Sequence, residues 1–473
     1  MHMALSILKV FGRQLTAGDE LGSQRSIGAL LQLALELGKA ECQDGDEAQL
    51  TALACNETLT CVANAMLLDA GCKTHFAVGD GFAVVSEILS STMEHPTTTF
   101  LCGRCLFLAL TTSDSAKTCV EKLQVQEPLS DALETYLQKG QSPAGATGGF
   151  TPEQVMGELF KAAMSLTVFY QRSATRSSES SRADQSDVLT ADAAVTLKPI
   201  LSASLDALAQ LPLADGRLSS PAKQAASIVL NFSTLGPAEI QSLWFPTTNR
   251  WQHISCLLST MTQLIDQCIA DLSSSPNRAV SEERQIEVAP IVLVLLRVIT
   301  ENPEARTRIF NDIYPQGADY TQLPEDRPGT SSKLVRIMKS PQGGVLPSAV
   351  GDLLYFLWQR DARQFVMAVG YGNAAGYMLA RGIEIPTDLM NKGGSDAKDR
   401  VIDPVTGKYL GSDGIAKELA EMTDEEKERE AERLFVLFER LNKTGIIKVE
   451  NPVRAAYESG QIQEMSDDDS SGS

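Results

Sequence analysis

Basic charge is what this chain lacks most: 41 Lys and Arg stand against 60 Asp and Glu, a formal net charge of −19 over 473 residues. A general nucleic-acid binder needs a cationic face to displace phosphate counterions, so that class is excluded first. Residues 418–473 hold 15 acids and 7 bases, so the acidity is broad with some concentration at the tail. No apolar run reaches membrane-spanning length; the longest such stretch, Val288 to Val298, is broken by Pro290 and Arg297. Residues 1–30 contain no uninterrupted apolar block after a basic start, and no signal peptide is expected. Nine cysteines, an odd and scattered set, are unlike a secreted disulfide scaffold, so the thiols are expected to be reduced and the protein cytoplasmic.

Catalytic signatures are equally sparse. The sequence has no G-x-x-x-x-G-K-[ST] phosphate loop and no G-x-G-x-x-G, so nothing predicts nucleotide binding by the chain itself. Only His2, His75, His95 and His253 are present, without an H-E-x-x-H or comparable pair, which argues against a zinc hydrolase. Cys102 and Cys105 form a lone C-x-x-C in an apolar helical run, where burial is the expected fate rather than metal or redox use. A Cys61/His75 nucleophilic pair fits by spacing alone and has no supporting motif. We therefore expect no catalytic residues, no metal site and no cofactor.

What the chain does have is helical punctuation. It is 43% apolar, enough for a large core. Thr151-Pro152-Glu153-Gln154 reads as a capping box with proline in the first turn. Ser220-Pro221 and Asn302-Pro303 repeat the cap-then-proline pattern, and Thr423 to Glu426 is another capping box. Apolar runs of helical spacing fall between such signals, at Leu30–Leu37, Leu59–Leu68, Leu106–Leu110, Leu159–Phe169, Ile228–Leu235, Ile291–Ile299 and Leu353–Trp358. Strand-like alternation is confined to Ile446–Val449. The runs recur at irregular intervals of roughly 30 to 65 residues, bracketing armadillo and HEAT repeats, so the fold class expected is all-α, an armadillo/HEAT-like α-solenoid with a concave groove.

The solenoid is expected over residues 1–382, with insertions at Gly140–Gly149 (near 140–150) and Gln171–Asp187 (171–187), both poor in residues to bury. Residues 383–422 read as a Gly- and Pro-rich flexible connector, 423–455 as a C-terminal helical element, and 456–473 as an acidic disordered tail. In that element Leu434, Leu437, Phe438 and Leu441 make an apolar stripe at i, i+3, i+4, i+7, suited to packing on the solenoid or on a partner.

Four polar residues interrupt apolar helices: Asn64, Arg104, Lys161 and Asn231. Arg104 is either an edge residue whose stem reaches solvent or a groove cation that meets a carboxylate. A ladder of such residues on successive repeats is how an armadillo-type groove grips a peptide. Farther on, Gly370, Gly372 and Gly376 sit in Phe365–Gly382, where each costs helix stability; a tight inter-helix turn with close backbone contact is the expected reason.

That Gly370-Tyr371-Gly372-Asn373-Ala374-Ala375-Gly376 block, followed by Ala380-Arg381-Gly382, resembles the signature of the synembryn family (resistance to inhibitors of cholinesterase). Asp403-Pro404-Val405-Thr406-Gly407, Met422–Ala431 with Leu434–Phe438, Val288–Leu295 and Lys333–Met338 resemble further family segments in the same order. The resemblance implies an armadillo/HEAT-like solenoid acting on heterotrimeric G-protein α subunits as guanine-nucleotide exchange factor and folding chaperone, by non-covalent means. It implies that the concave face holds the α subunit's C-terminal helix, with Asn64, Arg104, Lys161 and Asn231 lining it. Leu434, Phe435 and Phe438 would meet the switch side of the Ras-like domain. A monomer is expected, recruited by its partners to the cell cortex or the inner face of the plasma membrane. Animal members carry acidic phosphorylation sites in the connector; here Glu384–Arg400 offers only Thr387-Asp388 and Ser395-Asp396, and Ser466 before Asp467-Asp468-Asp469 is the better acidophilic-kinase match. The few residues after the C-terminal helix fit a short, fungal-type member or a shortened chain. The competing reading is an armadillo-type adaptor or transport receptor for linear peptides, which should carry regular Trp/Asn ladders; the only tryptophans are Trp244, Trp251 and Trp358.

Overall fold

The computed structural model describes residues 22–39, 46–140, 149–177, 188–274, 280–315, 323–340 and 344–384, with isolated residues elsewhere. Among them there are 19 helices and no strand. After an opening pair, α1 (Gln24–Lys39) and α2 (Asp46–Leu68), the helices fall into triplets. The first is α3 (Ala70–Val78), α4 (Gly81–Ser91) and α5 (Pro96–Ala109); the second is α6 (Ser113–Glu121), α7 (Gln126–Gly140) and α8 (Pro152–Ser177). Next come α9 (Ala191–Thr196), α10 (Lys198–Gln210) and α11 (Ser220–Val229), then α12 (Ala238–Trp244), α13 (Gln252–Ser274) and α14 (Glu282–Glu301). The last triplet is α15 (Pro303–Ile313), α16 (Thr330–Met338) and α17 (Val345–Leu357), and α18 (Ala362–Val369) with α19 (Tyr371–Ala380) closes the series.

Packing follows the triplets. The third helices stack in one row, α2 on α5, α5 on α8, α8 on α11, α11 on α14 and α14 on α17. The second helices stack in another, from α1 through α4, α7, α10, α13 and α16 to α19. Short first helices bridge the two. Each unit thus buries its apolar face against its neighbours, which is the solenoid arrangement expected from the sequence. One apolar core runs from Ile27 to Met378, with Phe76, Phe160, Phe232, Trp244 and Phe365 fully buried along it.

Local signals explain most boundaries. Thr151 Oγ1 accepts from the Gln154 amide at 3.2 Å while Gln154 Oε1 accepts from the Thr151 amide at 2.9 Å, completing the expected capping box. Asn302 Oδ1 accepts from the Ala305 amide at 2.9 Å ahead of α15. At α11 the cap is Ser219, not Ser220: its Oγ faces the Ala222 amide, and Pro221 takes the second helical position. A second correction concerns the insertion expected from Gln171. Helix α8 continues through Ser177, with Ser173 buried and the Arg172 guanidinium over the Phe169 ring. A helix end this polar is sustained by the packing of its earlier turns.

The glycine-bearing block divides in two. Gly370 has φ 84° and forms the turn between α18 and α19, as expected. Gly372 and Gly376, however, approach nothing: a Cβ at either would meet no atom within 4 Å. The expected close contact is absent among the described residues, and the two glycines lie on the exposed side of α19. Gly376→Ala should therefore stabilise α19, by about 0.5–1 kcal/mol; a thermal or urea titration showing a loss would indicate that something occupies that face. Residues 141–148 and 178–187 of the two insertions lie outside the described residues, as do residues 385–422 and 424–473, with Leu434, Phe435, Phe438 and Ser466.

Candidate functional site: a carboxylate-anchored polar row

All four polar residues singled out in the sequence fall on or directly after third helices: Asn64 in α2, Arg104 in α5, Lys161 in α8 and Asn231 just past α11. Two of them meet. Glu158 Oε1 accepts from Arg104 Nη2 at 3.0 Å and from Lys161 Nζ at 2.8 Å. The Glu158 side chain is only 5% exposed, whereas Arg104 and Lys161 are 40% and 37% exposed. A buried acid therefore holds two cations at the surface of consecutive repeats. The Arg104 head reaches solvent, and the carboxylate that it meets belongs to its own chain. Its guanidinium also lies 4.9 Å from the Phe100 ring centroid.

The reach across repeats depends on Gly103. A Cβ there would stand 3.2 Å from the Leu159 amide nitrogen and from its side chain, so α5 and α8 approach closely at that turn. The arrangement then recurs two repeats along. Glu287 of α14, with 1% of its side chain exposed, accepts from the Leu218 amide at 2.6 Å and pairs with Arg284 at 3.5 Å and Lys223 of α11 at 3.8 Å. Lys223 is again 40% exposed. At the far ends of α11 and α14, Glu301 Oε2 accepts from the Thr234 amide at 2.6 Å, Thr234 Oγ1 at 2.8 Å and Ser233 Oγ at 3.0 Å. Start meets start and end meets end, so α11 and α14 run parallel.

The asparagines behave differently from one another. Asn231 spends its amide within its own turn, donating to Ser227 O at 3.0 Å and Ile228 O at 3.1 Å, while its backbone carbonyl accepts from the Leu189 amide. It closes α11. Asn64 Nδ2 is buried and has no hydrogen-bond partner among the described residues. Sequence reasoning missed Glu158, Lys223, Arg284, Glu287 and Glu301. The available signal was a carboxylate flanked by core residues, as in Met156-Gly157-Glu158-Leu159-Phe160, which must find a partner when buried.

At the other end of the array the glycine-bearing block is a lock. Asn373 Nδ2 donates to Val369 O at 2.8 Å and to Glu325 Oε2 at 3.3 Å. Tyr377 donates to Asp352 Oδ1 at 2.7 Å, Arg381 pairs with the same carboxylate, and a Cβ at Gly351 would stand 2.5 Å from the Tyr377 ring. Tyr371 is half-buried against the core.

The thiols are not chemistry in waiting. Cys102 and Cys105 are fully buried, and burial pushes the Cys105 thiol up to about 12. His75 Nδ1 lies 2.8 Å from Gly22 O, and Cys61 is buried. No group of three His, Cys, Asp or Glu among the described residues is placed to hold a metal ion. Because the folded-state value lies above the ordinary 9.0 of a free thiol, these groups stabilise the fold fully below about pH 9 and lose that contribution as pH rises toward the folded value. At pH 8 a disulfide-exchange reagent should label half-buried Cys256 before any of the seven thiols buried among the described residues, all of which should react in urea. Fast native labelling of Cys102 or Cys105, read by peptide mapping, would contradict this packing.

Fold and row together define a helical-repeat protein whose exposed cations are fixed by buried acids. The family model for the guanine nucleotide exchange factor synembryn matches residues 4–461, and the chain belongs to that family. It is 26% identical over 249 residues to a synembryn-like chaperone of Schizosaccharomyces pombe, a match spanning 45% of this chain and 47% of the relative. It is 27% identical over 245 residues to the chaperone Ric-8 of Drosophila pseudoobscura pseudoobscura (49% of this chain, 41% of the relative). Over 179 residues it is 29% identical to the chaperone Ric-8A of Danio rerio (35% and 32%). The chain thus spans less than half the length of these curated relatives. A solved chain from a study of cadherin and β-catenin matches 86% of both chains at 17% identity, with a TM-score of 0.26 that is too low to bear on the fold. No helix among the described residues is long and apolar enough to cross a membrane.

Proposed function

We propose that this chain is a guanine-nucleotide exchange factor and folding chaperone for heterotrimeric G-protein α subunits. The observation that carries the reading is the family match over residues 4–461. The third-helix row supplies the groove for the α subunit's C-terminal helix, with Arg104, Lys161 and Lys223 as its cations and the unpartnered amide of Asn64 at one end. Leu434, Phe435 and Phe438 meet the switch side of the Ras-like domain. Holding that last helix away from the nucleotide domain loosens the purine end of the site, and GDP leaves. GTP then favours the closed α subunit, which binds this chain less well and departs; the coupling is between two binding equilibria, with no covalent step. Capture of the open, nucleotide-free state also shields apolar surface that would otherwise aggregate, which is the chaperone role.

The adaptor reading is disfavoured by where the tryptophans fall. Trp244 is fully buried in a first helix, Trp251 precedes α13 and Trp358 follows α17, so none stands within a third helix. The deciding experiment is release of labelled GDP from purified α subunits with and without the chain, followed by uptake of a GTP analogue. Faster release, with a complex that GTP dissolves, supports the proposal. Binding without faster release leaves only the chaperone half, and no binding overturns both.

A further inference from the structure

The turn joining α17 to α18 carries a cavity that the groove leaves unused. Its volume is about 550 Å³, and its lining includes Arg306, Phe310, Trp358, Gln359, Asp361 and Gln364. One wall is aromatic: the Phe310 and Trp358 rings meet edge to face at 4.8 Å, with Tyr314 at 5.2 Å from Trp358. Two polar groups of the lining are unspent. Among the described residues Arg306 has no ion pair and no side-chain hydrogen bond, and the Trp358 indole N–H is buried without an acceptor.

The backbone here is also unusual. Gln359 and Arg360 both adopt left-handed conformations, φ 54° and 62°, which non-glycine residues rarely do in succession. The surroundings hold them there. The Arg360 amide donates to Tyr355 O at 3.0 Å, Tyr355 Oη donates to Arg360 O at 2.9 Å, and the Arg360 guanidinium rests 4.3 Å from the Phe356 ring centroid. Strain maintained in this way concentrates at ligand sites.

We infer that this cavity binds a small carboxylic acid with a flat apolar body. Arg306 supplies the planar fork that matches a carboxylate, and Phe310 and Trp358 supply the surface for the body. The indole N–H and the Gln359 and Gln364 amides are the remaining donors at the site. Asp361 stands on the rim with its Oδ1 already accepting from the Arg363 and Gln364 amides. Its charge penalises a dianion, so a carboxylate is preferred over a phosphate ester. The volume lies in the range of metabolite sites, roughly 300–1,000 Å³.

The test uses the full chain and three probes: 3-phenylpropionate, its primary amide and phenyl phosphate, followed by calorimetry and by tryptophan fluorescence. Saturable binding of the acid is expected, at least about tenfold tighter than the amide, and weakened about tenfold or more by Arg306→Gln. Arg306 is a half-exposed helix residue, and unchanged melting of the variant shows that folding is intact. Trp358→Phe should remove the fluorescence response while retaining most of the binding. No saturable binding up to about 10 mM, equal affinity of acid and amide, tighter binding of phenyl phosphate, or undiminished binding by Arg306→Gln would each overturn the assignment.

Discussion

Glu287→Ala should destabilise the central repeats by about 3 kcal/mol, because it removes a buried charge that its partners depend on. Two losses combine. The buried Leu218 amide forfeits its acceptor at 2.6 Å, and a buried donor left unsatisfied costs about 1–3 kcal/mol. Arg284, whose side chain is 7% exposed, keeps Asp271 at 3.0 Å and Gly216 O at 3.2 Å but loses one of its two carboxylates. Lys223 adds little, because at 40% exposure it returns to water. Glu287→Gln should cost about half as much, since an amide oxygen can still accept from Leu218. In a repeat array the damage stays near its origin. Hydrogen exchange should therefore accelerate in α11 and α14 and remain unchanged in α1 to α4. Uniform acceleration would mean that the array unfolds as one unit.

The same nodes show where reading the sequence stopped. Helix existence was legible because amphipathic spacing and caps are local: the Thr151 box forms both of its bonds as written. Ser219 and Ser220 could not be told apart, since proline is tolerated at either of the first two helical positions and both serines precede it. The end of α8 was misjudged because solvated polar residues look alike in a helix and in a loop. Arg104, Lys161 and Asn64 were found as polar interruptions of apolar runs, a pattern visible in one helix at a time. The carboxylate that meets Arg104 was not, because Glu158 lies 54 residues away and only the stacking of third helices brings them together. Asn231 was read as a groove residue by the same pattern, yet its amide serves its own helix end. Gly372 and Gly376 are the converse case: the sequence marks them clearly, and their local packing gives no reason for them.

The functional claim for the row is best tested by removing the whole triad rather than one member. Arg104→Met alone would confound two effects, because it leaves the buried Glu158 with a single partner. Replacing Arg104 and Lys161 by methionine and Glu158 by leucine together removes the buried charge along with its cations. Replacing a buried charge and its partners by apolar residues of similar volume is often close to neutral, and the two cations are already partly solvated, so stability should stay within about 1–2 kcal/mol of the parent chain. Binding to an α subunit should nevertheless weaken about 100-fold, as expected when two or more charge-assisted contacts worth roughly 1.5 kcal/mol each are lost. GDP release should slow in step at subsaturating chain, and the salt dependence of association should become shallower. A control at Lys333, in second helix α16 and paired with Asp266, should leave binding unchanged. If the triple variant melts normally and binds normally, the triad is only a clamp between repeats, and the groove contacts must come from elsewhere on the third helices. If it melts normally and fails to bind, Glu158 has the role its burial implies, presenting cations from two repeats at one fixed point.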